Sequence, residues 1–417
     1  MTDTLAQALP PLRGAIDLFP IQDGPRRMFC LRDRTDPTGQ PVVLNEAALQ
    51  IAALFDGQRT AGMVRSAFLL AAGVAPTEDE VRRLAAQLDE ANLLDSPAFR
   101  RRLGERVAAY RRSEARAAVH AGRAYPGAPG ELTAFLDGLF LHPDGPGGRP
   151  ESGIAGPVRG VIAPHIDLHR GGPTYAWTYR ALAEAEPVEL YVLLGTCHTP
   201  MGTALAATRK PYDTPLGPAT VDERFLELLE TAYPGDLYAD EFSHEAEHSV
   251  EFQVLFLRYL GLVGAGRGAI VPLLCGSLHQ WVEPTDSPLA SAEVRAALGA
   301  LAQALARFPG RVCLVAGADL AHIGPQFGDP SPVDPAFSAR VERADREMLE
   351  LVCRGDAEGF FRQVMADHDA RRICGLSPIY YLLSLIRPVE GRLIKYSQWV
   401  DPSRYGSVTY AGVIFRP

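Results

Sequence analysis

From residue 157 onward the chain alternates short apolar runs with helical stretches, and this restricts its fold more than any other feature. The runs are Val158–Ala163, Leu190–Leu194, Ile270–Leu274, Val312–Ala316 and Val408–Phe415. Helical patterns fall between them, near 174–185, 222–232, 248–260, 291–307, 335–353 and 378–386. Apolar runs this short, without polar alternation, read as strands buried on both faces, and such strands need helices on each side. The alternation therefore predicts an α/β domain with a central sheet flanked by helices.

The first 98 residues read differently. An extended start ends near Val42-Val43, and three short helices follow. Asn45 can cap the first, whose apolar face is Ala48, Ile51, Ala52 and Phe55, with Gly57 as the stop. Thr60 can cap the second, which Gly73 ends. Thr77 with Glu80 is a capping-box pattern for the third. This reads as a small, mostly helical, winged-helix-like domain over residues 1–98. Residues 99–117 carry seven arginines and read as a connecting helix. A contact to RNA or to an acidic partner competes with a solvated face there, and the net charge of -9 favours the solvated face. Residues 118–417 make the third segment, and 142–157 read as a Gly/Pro loop.

The acidic balance argues against nucleic acid as a partner of the whole chain. The N-terminal stretch has no basic leader or apolar core, and no apolar run is long enough to span a bilayer. The six cysteines are scattered, without a CxxC pair. Together these features predict a reduced, cytoplasmic chain with no membrane partner.

Four clusters sit at the ends of apolar runs or the start of a helix, where open α/β sheets build their sites. In Ala163-Pro164-His165-Ile166-Asp167, the proline forces an extended exit that turns His165 to the crevice, with Asp167 as its expected partner. In Leu194-Gly195-Thr196-Cys197-His198, a second histidine follows a run. Asp319 and His322 are three apart, so a helical turn would pair them as an acid/base unit. Cys374 precedes Ser377-Pro378, read as N-cap and first residue of a helix whose dipole would favour a thiolate. A thiolate with two neutral imidazoles suits iron, copper or zinc. Each such residue taken singly is more often structural, a His after a strand or a Cys in a core. A competing motif is His244-Glu245-Ala246-Glu247-His248, a literal HExxH, which on one helix would make a zinc protease site. The polar residues before it and the helix start near His248 weigh against that reading.

The stretches APHIDLHRGGP, LLGTCHT, TPLG, EHSVEFQ, ADLAHIG, ICGLSPI and SVTYAGVIF resemble the Memo family, including the bacterial proteins called AmmeMemoRadiSam system protein B. The resemblance runs from Val119 to the C-terminal strand. It implies a fold like that of class III extradiol dioxygenases and a metal site of two His and a Cys, here His165, His198 and Cys374. It also implies His322 with Asp319 as acid/base pair and His248 in the pocket, with Glu247 and Glu251 as further lining. The metal it points to first is Fe(II), with Cu or Zn as alternatives. The residues after His165, Ile166-Asp167-Leu168, and those around His198 depart from the family's usual pattern, so the substrate is open. LNEAALQIAALFDGQRT and EDEVRRLAAQLDEANLLD resemble PqqD-like, peptide-recognising winged-helix domains, which implies a peptide or a radical enzyme as a partner. Three functional readings follow: an iron-dependent, dioxygenase-like oxidoreductase acting on a small molecule or peptide; a non-catalytic metal-binding or peptide-binding adaptor; and the HExxH protease.

Overall fold

The computed structural model describes residues 7–23, 26–33, 35–36, 39–151, 155–284, 286–386 and 389–417. Part of the Gly/Pro loop read over 142–157, residues 152–154, lies outside them. The chain divides into two compact units, Met1–Arg112 and Ser113–Pro417.

In the first unit, β1 (Ile16–Asp23), β2 (Arg26–Asp33) and β3 (Val42–Asn45) form an antiparallel sheet in that order. The helices α1 (Glu46–Ala52), α2 (Ala61–Ala72), α3 (Glu78–Glu90) and α4 (Pro97–Arg112) follow. The capping chemistry decides their ends. The Asn45 side chain accepts from Ala48 N–H, Thr60 accepts from Met63 N–H, and Thr77 with Glu80 completes a reciprocal capping box. Gly73 ends α2 in the left-handed conformation, φ 72°. Leu31, Leu44, Val64, Val81, Leu88 and Leu94 fill the core between sheet and helices. The hairpin β1–β2 was not read from the sequence. The arginine-rich helix stops at Arg112, so Arg116 is not on it.

The second unit is a sheet with helices on both faces. After α5 (Pro129–Leu141) come β4 (Gly160–Ala163), α6 (Leu168–Ala183), β5 (Leu190–Thr196), β6 (Leu205–Ala207) and α7 (Glu223–Ala232). These are followed by α8 (His248–Tyr259), β7 (Ala269–Cys275), the short α9 (Leu278–Trp281), α10 (Ala292–Arg307), β8 (Val312–Gly317) and β9 (Asp319–Ile323). The chain closes with α11 (Pro335–Cys353), α12 (Ala357–Met365), α13 (Leu376–Leu385), β10 (Glu390–Val400) and β11 (Ser407–Arg416). Strand order is β10-β11-β4-β8-β5-β7-β6, with β9 paired to β11. The inner four, β4, β8, β5 and β7, are parallel.

Alternate strand residues serve two cores. Val161, Leu193 and Val315 pack with α5, α6 and α8, while Val192, Leu194 and Leu314 pack with α7, α10 and α13. That two-sided burial is why these strands read as unbroken apolar runs. Two glycines let α8 settle on the sheet. A Cβ on Gly195 would lie 2.6 Å from Val250 and 2.7 Å from Ser249, and one on Gly317 would lie 2.4 Å from the Ser249 carbonyl. The start of α8 therefore rests on the carboxyl ends of β5 and β8. Among the described residues, no helix is long and apolar enough to cross a membrane.

Candidate metal centre

β4 and β5 deliver two histidines to the same end of the sheet, and β9 begins there. His165 lies two residues past β4 and is buried. Its Nδ1 is 2.9 Å from the Gly317 carbonyl, which can only accept, so Nδ1 carries the proton and Nε2 the lone pair. His198 lies two residues past β5. Its Nδ1 meets the Glu247 carboxylate at 3.0 and 3.1 Å, which again leaves the lone pair on Nε2. The Cys374 Sγ is 3.3 Å from His165 Nε2. His248, first residue of α8, stacks on His198 with ring centroids 4.7 Å apart.

Among the described residues, two groups have donor atoms within 4.8 Å of one another: His165, His198 and His248; and His165, Asp319 and Cys374. His165 belongs to both. The residues expected as ligands thus gather around His165, but His198 and Cys374 fall in different groups, and His248 joins His198 as a third imidazole donor.

The charges around these donors are unusual. Asp319 and Glu247 are both buried. Among the described residues, Asp319 has His165 as its one ionic neighbour, at 3.7 Å, and Glu247 has His198 and His248. No lysine or arginine pairs with either. Burial holds the His165 imidazole below its ordinary range, against the pull of Asp319. Burial likewise holds His248 well below it. Burial alone would raise Glu247, but His198, His248 and the Ser249 N–H pull it well below the usual carboxylate range. The pocket is therefore acidic and lined by imidazole lone pairs.

Several expectations need correction. Asp167 does not support His165. It caps α6, accepting from His169 and Arg170 N–H, and pairs with Arg170. The Gly317 carbonyl takes the imidazole-supporting role expected of Asp167, while Asp319 accepts from the His165 main-chain N–H at 2.9 Å. Asp319 and His322 are not on a helical turn; both lie on β9, and residues three apart on a strand point to opposite faces. The His322 Nδ1 donates to the Leu320 carbonyl at 3.2 Å, its ring meets Phe327 edge-on, and burial pushes it down to about 4. Ser377 is not the cap of α13; Gly375 holds that position, and the Ser377 hydroxyl accepts from Leu278 N–H. Cys374 does precede the helix, yet its thiol is not acidic. Burial pushes it well above its ordinary value, and Asp319 adds to the rise.

The Cys374 loop is held in a strained conformation. His368, Asp369 and Arg372 have φ of 56°, 53° and 54°, which non-glycine residues adopt only when their surroundings insist. Arg371 pairs with buried Asp345, Arg372 with Asp329 at 2.5 Å, and Asp369 accepts from Ile373 N–H and from His279.

The HExxH reading fails on geometry. His244 lies in a 3-10 turn and His248 starts α8, so they do not share a helix face. Both ring nitrogens of His244 are taken, one by the Tyr212 hydroxyl at 2.9 Å and one by the Ala206 carbonyl at 3.2 Å.

Two residues escaped the sequence reading. Glu247 appeared only as pocket lining. Arg116, counted among the solvated arginines, is fully buried. Its guanidinium donates to the carbonyls of His244 and Glu247 at 2.9 Å each and pairs with Glu251, whose carboxylate also accepts from the Tyr125 hydroxyl and from His120 N–H. The signal was present in residues 119–125 and 247–253, whose His120, Tyr125, Glu247 and Glu251 prove to be partners in this network.

A family profile described as Memo-like protein matches residues 116–414. A MEMO1 family protein of Aquifex aeolicus is 27% identical over 412 residues, covering 96% of this chain and 98% of its own length. Its similarity therefore extends into the N-terminal unit. A MEMO1 family protein of Thermus thermophilus is 30% identical, covering 78% of this chain and 89% of its own. One of Methanopyrus kandleri is 31% identical, covering 71% and 97%.

Proposed function

This chain belongs to the Memo family, and on that premise we propose that it is a metal-binding protein whose ion is held by His165, His198 and Cys374. The observation that carries the reading is the pocket's charge. Two buried carboxylates that have no lysine or arginine partner among the described residues face imidazoles whose Nε2 atoms carry the lone pair. A buried negative charge is costly unless a cation compensates it, and a bound ion does so. The donor set fits a borderline or soft divalent ion; iron(II) is the choice of this reading, with copper and zinc as competitors.

The enzymatic form of the proposal is a dioxygenase-like oxidoreductase acting on a small molecule or peptide. The bound ion would supply Lewis acidity and redox capacity. The chain's own residues supply the rest. His322 is neutral at pH 7, and its bond to Leu320 leaves Nε2 able to accept a proton. Asp319 anchors the main chain at His165 through its backbone N–H, the Gly317 carbonyl orients the ring, and His248 offers a further base or ligand beside His198.

The test is metal content. Purified chain should contain close to one ion by mass spectrometry, and His165→Ala and Cys374→Ser should each lower the occupancy sharply. Full occupancy in Cys374→Ser refutes the assigned ligands and, if His248→Ala then empties the site, transfers the third position to His248. A screen with oxygen and catechols separates an enzyme from a binding protein.

A second reading draws on a different observation. On α2 of the first unit, Met63, Leu69 and Leu70 are exposed, Leu70 at 89%, and exposed Val74 follows just past the helix end. An apolar stripe of this kind suits a docked peptide or a radical-enzyme partner. Peptide binding by the chain that is indifferent to loss of the metal ligands would favour this adaptor role.

A further inference from the structure

We propose that Glu247 is the positioning residue of this centre, fixing His198 in the form that presents Nε2 to the ion. The inference rests on the metal-binding reading above and deepens it.

Three donors converge on the Glu247 carboxylate. Oε2 accepts from His198 N–H at 2.9 Å, Oε1 accepts from Ser249 N–H at 2.9 Å, and the His198 Nδ1 spans both oxygens at 3.0 and 3.1 Å. The His248 Nδ1 approaches Oε1 at 3.4 Å. The two backbone N–H groups need an acceptor, and a carboxylate is acceptor-only when ionised, so the His198 Nδ1 between its oxygens must donate. The His198 ring has no tautomeric choice while Glu247 is ionised. Its proton stays on Nδ1.

The choice of residue type argues for the same role. Glu247 is the N-cap of α8. Caps are usually Ser, Thr, Asp or Asn, whose short side chains reach the helix N–H groups without help. Glutamate is longer than a cap requires, and the added length carries its oxygens to the imidazole. Its backbone is fixed independently, because the Glu247 carbonyl accepts from Arg116 Nη2. The carboxylate is thus held from behind and aimed forward. Carboxylates that accept from the far nitrogen of a metal-ligating imidazole orient the ring and strengthen it as a donor, and their loss costs about 10–100-fold in metal affinity.

A carboxamide cannot take over. Glutamine has one acceptor oxygen and would turn its NH2 toward one of the converging N–H groups. The simplest relief is for His198 to move its proton to Nε2 and accept at Nδ1, which removes the lone pair the ion needs.

The experiment uses the full chain stripped of metal, with Co2+ as the probe. Affinity is measured by competition with a chromophoric chelator, and the His198 tautomer by nitrogen-15 NMR of the labelled imidazole. In the wild type, His198 should carry its proton on Nδ1. Glu247→Gln and Glu247→Asp should each bind Co2+ about 10–100-fold more weakly. The aspartate variant keeps a good helix cap and a negative charge but retreats from His198, so a role limited to capping α8 predicts wild-type affinity for it. Wild-type affinity in Glu247→Asp overturns the inference. So does an Nε2–H tautomer in the wild type, a result that needs no variant to fold. Failure of the wild-type chain itself to bind Co2+ is a distinct outcome: it overturns the metal-binding reading, and this inference with it.

Discussion

Arg116→Met removes a guanidinium that is fully buried and serves several acceptors at once. The carbonyls of Ala117, His244 and Glu247, at 2.8, 2.9 and 2.9 Å, would lose their donors. Glu251 would keep the Tyr125 hydroxyl and the His120 N–H but lose the one cationic side chain that pairs with it among the described residues. Removing one member of a buried pair leaves an uncompensated charge and costs about 3–5 kcal/mol. Total stability of a domain is about 5–15 kcal/mol, so the loss is a large fraction of it. The assay is urea unfolding followed by tryptophan fluorescence. The three tryptophans, Trp177, Trp281 and Trp399, all lie in the second unit, so the signal reports that unit alone. Adding Glu251→Gln removes the stranded charge, and the double variant should be less destabilised than the two single losses summed, by about 2 kcal/mol. A cost below about 1 kcal/mol for Arg116→Met, or additive costs in the double variant, would refute the reasoning, because a solvated arginine behaves that way.

Two further predictions concern protons. Burial pushes His244 down to about 3 from an ordinary value near 6.5, so the unfolded chain takes up a proton below 6.5 that the folded chain resists. Stability present above pH 6.5 should therefore fall as pH drops toward 3, by up to about 5 kcal/mol from this group at about 1.4 kcal/mol per unit. His244→Gln should flatten that acid limb in urea titrations and leave Co2+ affinity unchanged; an equally steep limb refutes the assignment to His244, and lost metal affinity revives the HExxH reading. Burial holds the Cys374 thiol well above its ordinary value, so it is protonated at pH 7 and should release about one proton per ion bound. Calorimetry in two buffers of different ionisation enthalpy measures this, and Cys374→Ser should abolish the release; a wild-type chain that releases none would mean the sulfur does not ligate.

What the sequence disclosed was decided by local chemistry. Strands such as Leu190–Thr196 are buried on both faces and announce themselves by composition. The ends of α1, α2 and α3 follow from side chains within three residues of the cap. β1 was obscure because Pro20 lies inside it, which is tolerable only on an edge strand, and β1 is at the edge. Two errors share a cause: each concerned a polar group whose partner is distant in sequence. Asp167 is near His165 in the chain, but Asp319 is near it in space. Arg116 sits among arginines that face solvent, yet three of its acceptors lie 128 to 135 residues away. HExxH satisfied a spacing rule that holds only on a continuous helix, and the helix begins at its last residue.

Cys374 shows why motif and magnitude must be weighed together. Its place before α13 suggests a thiolate, since a helix N-terminus favours negative charge. That effect is worth about 0.3–1 kcal/mol at ordinary sites, less than one unit of pKa. Burial acts in the opposite direction and is larger, and the Asp319 carboxylate beside it repels a second negative charge. The dipole loses, and the thiol keeps its proton in the metal-free chain. On the metal-binding reading the same surroundings would reverse their effect, because Asp319, Glu247 and the sulfur would share a positive centre instead of repelling one another. Ionisation of the thiol and binding of the ion would then be a single event, which the proton count above tests.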